Sequence, residues 1–166
     1  MRSFLPSLAI LGVLALVALR VAWVTRGRPI VAGARRPAAL AFVTAIALQA
    51  AHFAEEAGTG FHNRFPELIG LEPMTFYGFV AFNLGWIVIW IASVPGLGFG
   101  RTGARFAAWF LCLTAIVNGI AHPALAVITQ GYFPGLVTAP VLGLAGIRLF
   151  RRLRQLQAVA ENGARL

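Results

Sequence analysis

The sequence predicts an all-α integral membrane bundle of five transmembrane helices, with the amino terminus outside and the carboxyl terminus in the cytoplasm. Of its 166 residues, 59% are hydrophobic and only 11% are charged, whereas soluble domains carry about 25% charged residues. The apolar residues form five stretches, each long enough or nearly so to cross a bilayer, which takes roughly 20 helical residues. Arginines cluster in every second connection, which orients the helices.

The first apolar stretch, from about Phe4 to Val24, resembles a cleaved signal peptide in that Arg2 precedes it. The stretch is long, however, and no small-residue cleavage site follows it. Arg20 interrupts its far end and can extend its charged group to the lipid headgroups. These features favour a retained transmembrane helix.

The other four stretches follow in alternating directions across the membrane. The second runs from about Pro37 to Gly58, the third from about Met74 to Val94, the fourth from about Phe106 to Ile128, and the fifth ends at Phe150. The dipeptide Pro95-Gly96 ends the third stretch, and the turn from Gln130 to Gly135 precedes the fifth.

Arginine-rich connections indicate the cytoplasmic side. They contain Arg26, Arg28, Arg35 and Arg36, then Arg101 and Arg105, and finally Arg148, Arg151, Arg152 and Arg154. The loop from Thr59 to Pro73 and the turn from Gln130 to Gly135 then face outward. The sequence therefore predicts a multi-pass protein of the inner (plasma) membrane, divided into a first helix and basic loop (1–36), a four-helix domain (37–154) and a cytoplasmic tail (155–166). The net charge of +9 belongs to arginines that flank apolar segments and not to one basic face, so no nucleic-acid partner is predicted.

The second stretch ends in the motif His52-Phe53-Ala54-Glu55-Glu56, after fifteen residues without a charge. A charged group inside a bilayer costs roughly 2.5–3.5 kcal/mol at mid-helix, so such residues are rare and usually functional. On a helix, His52 lies one turn from both Glu55 and Glu56. The motif is therefore the candidate site.

Other polar residues share its depth in the membrane. At 1.5 Å per residue, His52 lies roughly 23 Å above the cytoplasmic start of its helix and His122 roughly 24 Å above the start of the fourth. Asn118 lies one turn below His122, and Asn83 falls near the same level. This convergence predicts one polar site in the outer half of the bundle. An alternative role for Asn118 and His122 is to repair the backbone at Pro123, which frees a carbonyl one turn earlier.

With these residues the sequence resembles the HXXEE-motif family of small bacterial integral membrane proteins. The motif at positions 52–56 matches the one that names the family, and the likeness continues through Asn83 and the Asn118–His122 pair to Tyr132-Phe133-Pro134-Gly135, or about residues 38–150. The family carries no established activity, so the resemblance implies the site and not the reaction. A fainter likeness is to the sterol-isomerase type of membrane protein, in which a His and a Glu one turn apart line an intramembrane pocket.

The first functional hypothesis is an intramembrane enzyme that acts on a lipophilic, isoprenoid-like molecule by isomerisation, cyclisation or hydration. Acid–base groups would give and take protons. These groups are His52, Glu55, Glu56 and His122. Nearby amides and aromatic rings would contact the substrate. These residues are Asn83, Asn118, Tyr132 and Trp86.

A second hypothesis adds one divalent metal to the same centre. Two imidazoles and a carboxylate, from His52, His122 and Glu56, match the ligand sets of zinc and non-haem iron. Only one helix supplies carboxylates, so a dinuclear site lacks ligands. The residues alone leave both versions open.

Two further alternatives belong to other classes of protein. A proton- or ion-coupled transporter would use the same His and Glu side chains, but needs a polar path to the cytoplasm. A structural membrane subunit would use them as a polar clamp between helices, although such hydrogen bonds contribute only about 0.6 kcal/mol each. The predicted partners are membrane lipid and a lipophilic small molecule, and the sequence leaves open whether the chain forms a homo-oligomer.

Overall fold

The computed structural model describes residues 5–157, with side chains from Leu8 onward, and these residues form six α-helices. The helices are α1 (Leu5–Val24), α2 (Ala32–Thr59), α3 (Phe61–Leu68), α4 (Phe76–Gly98), α5 (Thr102–Ile128) and α6 (Ala139–Gln157). The predicted all-α class is therefore confirmed. Helices α2, α4 and α5 are long and apolar enough to cross a membrane, and α1 contains a shorter apolar helix over Leu8–Val24. Most of the predicted tail, residues 158–166, lies outside the described part of the chain.

Several element boundaries differ from the sequence-based prediction. Helix α4 continues through Pro95-Gly96, the dipeptide predicted to end it, as far as Gly98, and α5 begins at Thr102 and not at Phe106. Helix α2 begins at Ala32, ahead of Pro37, where its start was predicted. Proline lacks one backbone N–H, and the loss of a single bond this close to the helix start does not end the helix. The predicted outer loop contains the short helix α3, which follows α2 directly because Gly60 turns the chain at φ 84°.

Helices α2 and α5 are central in the packing. Helices α4 and α6 each pack against both of them, and α1 packs against α5. The closest approach is between α5 and α6, where a Cβ on Gly119 would lie 2.7 Å from the Cα of Gly143. Small residues at a crossing let membrane helices approach this closely. The crossing holds the C-terminal end of α5 beside the start of α6.

The half of the bundle near the α4–α5 connection, away from the start of α6, is filled by apolar side chains that are almost completely buried. They include Ala38, Phe42, Leu97, Ala108, Leu111 and Leu149. Van der Waals packing of such side chains is one of the contributions that hold membrane helices together. This half therefore forms the structural core, and the histidines and glutamates of the candidate site lie at the other end.

Arg105 has a role that its position in the sequence did not indicate. It was predicted as one of the arginines that orient the helices, but its side chain is only 2% exposed. Its guanidinium donates hydrogen bonds to the backbone carbonyl oxygens of Thr25 and Arg28, in the connection between α1 and α2. Five donors in a rigid fork suit this bridging role. Arg105 therefore ties the α1–α2 connection to the start of α5.

Candidate functional site

Three buried polar side chains meet between α2 and α5. Helix α2 places His52 and Glu56 on the same face, four residues apart, and α5 supplies His122 from the facing side. The exposed fractions of these residues are 0%, 6% and 3%. Sequence periodicity accounts for the first two sharing a face. The third joins them because α2 and α5 pack together at this level.

The geometry of this His–Glu–His cluster is tight. The Oε1 atom of Glu56 lies 3.5 Å from Nε2 of His52 and 3.4 Å from Nε2 of His122. The two imidazole rings are 4.7 Å apart between centroids and almost perpendicular, at 85°. Each of the three residues offers one atom that could bind a metal, and these three atoms all lie within 4.8 Å of one another. The cluster therefore has the composition and spacing of a site that could hold a metal ion.

The connection between α5 and α6 closes the cluster. Nδ1 of His122 donates to the carbonyl oxygen of Pro134 at 2.6 Å. This nitrogen therefore bonds to the α5–α6 connection and not to the carbonyl freed by Pro123 in its own helix, which was its alternative predicted role. Gly135, at φ +88°, lies against both rings, because a Cβ there would be 2.6 Å from His122 and 2.7 Å from His52. Only glycine combines this backbone conformation with such a close approach.

Glu55, the third ionisable residue of the motif, lies outside the cluster. Its carboxylate accepts four hydrogen bonds: from the Tyr132 hydroxyl, the Val137 N–H, the Thr138 N–H and the Thr138 hydroxyl, at 2.7, 3.0, 2.8 and 2.5 Å. The two N–H groups immediately precede α6, where a negative charge is also favoured by the helix dipole. Glu55 thus joins α2 to the residues just before α6 and holds the α5–α6 connection in place.

The same connection joins Glu55 to His52. The hydroxyl oxygen of Thr138 lies 2.8 Å from Nδ1 of His52. Because the hydroxyl hydrogen is donated in a hydrogen bond to the Glu55 carboxylate, the oxygen is left to accept a hydrogen bond from Nδ1–H of His52. The chain Glu55–Thr138–His52 therefore sets the orientation and the tautomer of the imidazole. Tyr132, at the edge of this network, keeps its donor proton, since burial and its hydrogen bond to Glu55 raise the pKa of its phenol.

An apolar cavity of about 180 Å³ opens beside the cluster. Glu56 and His122 form part of its wall, and the predicted substrate contacts Asn83, Asn118 and Trp86 line it as well. The side-chain NH₂ of Asn83 donates to the backbone carbonyl of Phe79 in its own helix (3.0 Å). The side-chain oxygen of Asn83 is left to accept a hydrogen bond from another group. Six of the other fifteen wall residues are aromatic. These rings are Phe61, Phe65, Phe79, Phe82, Trp90 and Phe110.

The structure thus divides the predicted site residues into three groups. His52, Glu56 and His122 form the cluster; Asn83, Asn118 and Trp86 line the cavity; and Glu55 and Tyr132 belong to the network that holds α6. The contributions of Thr138 and of the Pro134 carbonyl were not predicted from the sequence. Hydroxyl and carbonyl partners have no distinctive pattern, although the glycine and proline of the preceding turn marked the segment as a special conformation.

Replacing Glu55 with glutamine is expected to lower the free energy of unfolding by about 1.5–3 kcal/mol, the range for hydrogen bonds to a charged group. All four partners of the carboxylate are donors, so the NH₂ group of glutamine would face a donor in place of an acceptor. Thermal unfolding of the detergent-purified protein measures this. Glu67→Gln, on the exposed side of α3, is the control. Equal midpoints for the two variants would show that the network contributes nothing to stability.

The fold and the site define a small helical protein of membrane-like composition with a buried His–Glu–His cluster beside an apolar cavity. A family profile described as "Protein of unknown function with HXXEE motif" matches residues 43–147, more than half of the chain. The protein therefore belongs to the HXXEE family. All three named letters of the motif have structural roles here, since His52 and Glu56 form the cluster and Glu55 holds α6 against it. Searches of curated proteins and of solved structures gave no match, and the likeness to the sterol-isomerase type is not shown.

Proposed function

We propose that this protein is a multi-pass membrane enzyme that acts on a lipophilic molecule at the His52–Glu56–His122 cluster. One observation carries the proposal: Glu56 and His122 line an apolar cavity. A ligand in this cavity would meet aromatic and aliphatic side chains over most of its surface and reactive polar groups at one place. Small-molecule sites commonly have this composition, an apolar pocket with a few converging polar groups.

The position of the cavity supports entry from the lipid. Its wall includes Leu8, Ile10 and Leu11 of α1, and it includes Phe82 and Trp86 of α4. Within residues 5–157, these two helices both pack against α5 but have almost no contact with each other. A hydrocarbon chain could pass between them without crossing water. The amides of Asn83 and Asn118 would then orient the polar end of the molecule.

A structural clamp fits the cluster less well. A clamp stabilises a bundle when its polar groups satisfy one another, whereas Nε2 of His52 is completely buried and has no hydrogen-bond partner within residues 5–157. An unsatisfied buried group costs about 1–3 kcal/mol. An arrangement that costs stability is better explained by a ligand or a reaction than by packing.

A transporter also fits less well. Beyond Trp90, Phe110 and Thr114 at the inner end of the cavity, the bundle continues into its apolar core, which includes Phe42 and Leu97. A proton or ion would need polar groups or water along that path. An enzyme needs access from one side only.

The proposal includes the five-span topology, with the cluster in the outer half of the bilayer. Cysteine labelling in a Cys112→Ala background tests it. Single cysteines at positions 28 and 101 are expected to react only from the cytoplasm, and those at positions 67 and 130 only from outside, because arginines remain on the cytoplasmic side. Labelling of position 28 from outside alone would overturn this orientation.

Filling the cavity tests the function. Val117 lines the cavity, whereas Ile120 on the same helix is 68% exposed on the outer surface of the bundle. Extractable lipids should be compared between a deletion strain and strains carrying the wild type, Val117→Trp or Ile120→Trp. We expect at least one lipid species to differ between the deletion and the wild type, Val117→Trp to resemble the deletion, and Ile120→Trp to resemble the wild type. Lipids that are unchanged by the deletion, or full function of Val117→Trp, would overturn the proposal.

A further inference from the structure

The two imidazoles of the cluster present lone pairs to the same point. Nδ1 of His122 faces a carbonyl oxygen, which can only accept, so Nδ1 carries the proton. Nδ1 of His52 donates to the Thr138 hydroxyl, whose own proton goes to Glu55. A neutral imidazole has one N–H only, so Nε2 is an unprotonated acceptor in both rings.

These two lone pairs meet a third acceptor, the Glu56 carboxylate, at 3.5 and 3.4 Å. Three acceptors without a donor between them are unfavourable in a buried site. A proton on Glu56 could be shared with one of the two imidazoles and would leave the other unsatisfied. A metal cation satisfies all three at once.

We propose that Nε2 of His52, the carboxylate of Glu56 and Nε2 of His122 bind one zinc ion. Zinc bonds to nitrogen and oxygen ligands are about 2.0–2.2 Å long, so tetrahedral ligands lie about 3.3–3.5 Å apart, whereas neighbouring octahedral ligands lie about 2.9 Å apart. The distances of 3.5 and 3.4 Å from Glu56 to the two imidazoles are close to the tetrahedral spacing, and all three ligand atoms lie within 4.8 Å of one another. Two His and one Glu is also a ligand set of catalytic zinc, in which the fourth position stays open.

The fourth position would face the cavity. Glu56 and His122 belong to its wall, so a molecule in the cavity could reach the ion directly. The role of the zinc ion rests on the proposed function. The argument that zinc is bound at all rests on the hydrogen bonding of the cluster.

The surrounding hydrogen bonds have the form found around zinc ligands. Histidines that bind metal usually donate their other N–H to a carboxylate, a carbonyl or a similar acceptor, which fixes the ring and its tautomer. Here His122 donates to the Pro134 carbonyl, and His52 donates to Thr138, which is in turn held by the Glu55 carboxylate. The motif therefore contains two ligands, His52 and Glu56, and one residue, Glu55, that supports the first.

Metal analysis of the full chain, purified in mild detergent, tests the proposal. We expect about one zinc per chain in the wild type, and an intense visible absorption of tetrahedral type when cobalt(II) replaces it. His122→Gln is expected to lose zinc. Zinc below about a tenth of an equivalent after zinc is supplied, or iron bound in its place, would overturn the proposal.

A second variant examines the outer hydrogen bonds. Thr138→Val keeps the shape of the side chain but removes the acceptor for His52, and is expected to weaken zinc binding about 10–100-fold. Thr129→Val, whose hydroxyl bonds only to its own helix, should bind zinc like the wild type. Equal zinc affinities for the two variants would overturn the tautomer assigned to His52 and the role of Thr138 in supporting it.

The zinc and lipid experiments fail independently. If zinc is absent but Val117→Trp still removes the lipid difference, the enzyme remains and the zinc is rejected, with a proton on Glu56 as the working group. If zinc is bound with the expected sensitivity but the deletion changes no lipid, the metal site stands and the proposed function is rejected.

Discussion

Replacing Glu56 with glutamine is expected to abolish the activity of this protein in cells while leaving its fold intact. Glutamine has almost the same volume, and its NH₂ group can donate to Nε2 of one histidine, so the apo protein should be at least as stable as the wild type. The amide is neutral, however, and can neither bind zinc as a carboxylate does nor carry a proton. Loss of a general acid–base group alone costs about 100- to 10,000-fold in rate.

Complementation of a deletion strain measures this without knowledge of the substrate. Membrane levels of Glu56→Gln should equal those of the wild type, its unfolding midpoint should equal or exceed that of the zinc-free wild type, and the deletion phenotype should remain. Glu67→Gln makes the same chemical change at an exposed position of α3 and should complement fully. Full complementation by Glu56→Gln would contradict both the acid–base and the zinc version and would favour a structural clamp.

Replacing Gly135 with alanine is expected to destabilise the protein by about 2–5 kcal/mol and to displace the two imidazoles. The backbone at φ +88° costs an L-residue about 1–2 kcal/mol. The added Cβ would also lie 2.6 Å from Cε1 and Nδ1 of His122 and 2.7 Å from Cε1 of His52. Overpacking of this kind costs about 1–3 kcal/mol more. Zinc content and complementation should both fall with the stability.

Two other glycines separate the two contributions. Gly70 has φ +70° but open space around its Cβ position, so Gly70→Ala reports backbone strain alone. Gly131 has neither feature, because the nearest atom to an added Cβ is 3.9 Å away. Unfolding midpoints should decrease in the order Gly131→Ala, Gly70→Ala, Gly135→Ala. A midpoint for Gly135→Ala equal to that for Gly70→Ala would show that this glycine does not press on the histidines.

The sequence by itself determined the helical class, the approximate helices and the composition of the site. Hydrophobicity and charge are local properties, so they indicated the apolar stretches without any knowledge of packing. Helix geometry did the same for His52 and Glu56, whose spacing of four residues puts them on one face. The rise per residue placed His122 at the same depth, and the structure brings it within 3.4 Å of Glu56.

Only the tertiary structure decided how the two glutamates divide their roles. Glu55 and Glu56 are neighbours in sequence, and their side chains point about 100° apart on the helix. Which of them meets a histidine depends on how α2 is rotated against α5 and α6. Packing turns Glu56 towards His122 and Glu55 towards the start of α6, where Thr138 is 83 residues away in the chain.

The same limit applies to Thr138, to the Pro134 carbonyl and to Gly135. Their contacts join segments that are distant in sequence, and hydroxyls and backbone carbonyls occur everywhere without a pattern of their own. The prediction of the tautomers, and with it the argument for a cation, therefore required the tertiary structure. Local periodicity specifies which face of a helix is polar, but the partners on that face are chosen by the packing of the other helices.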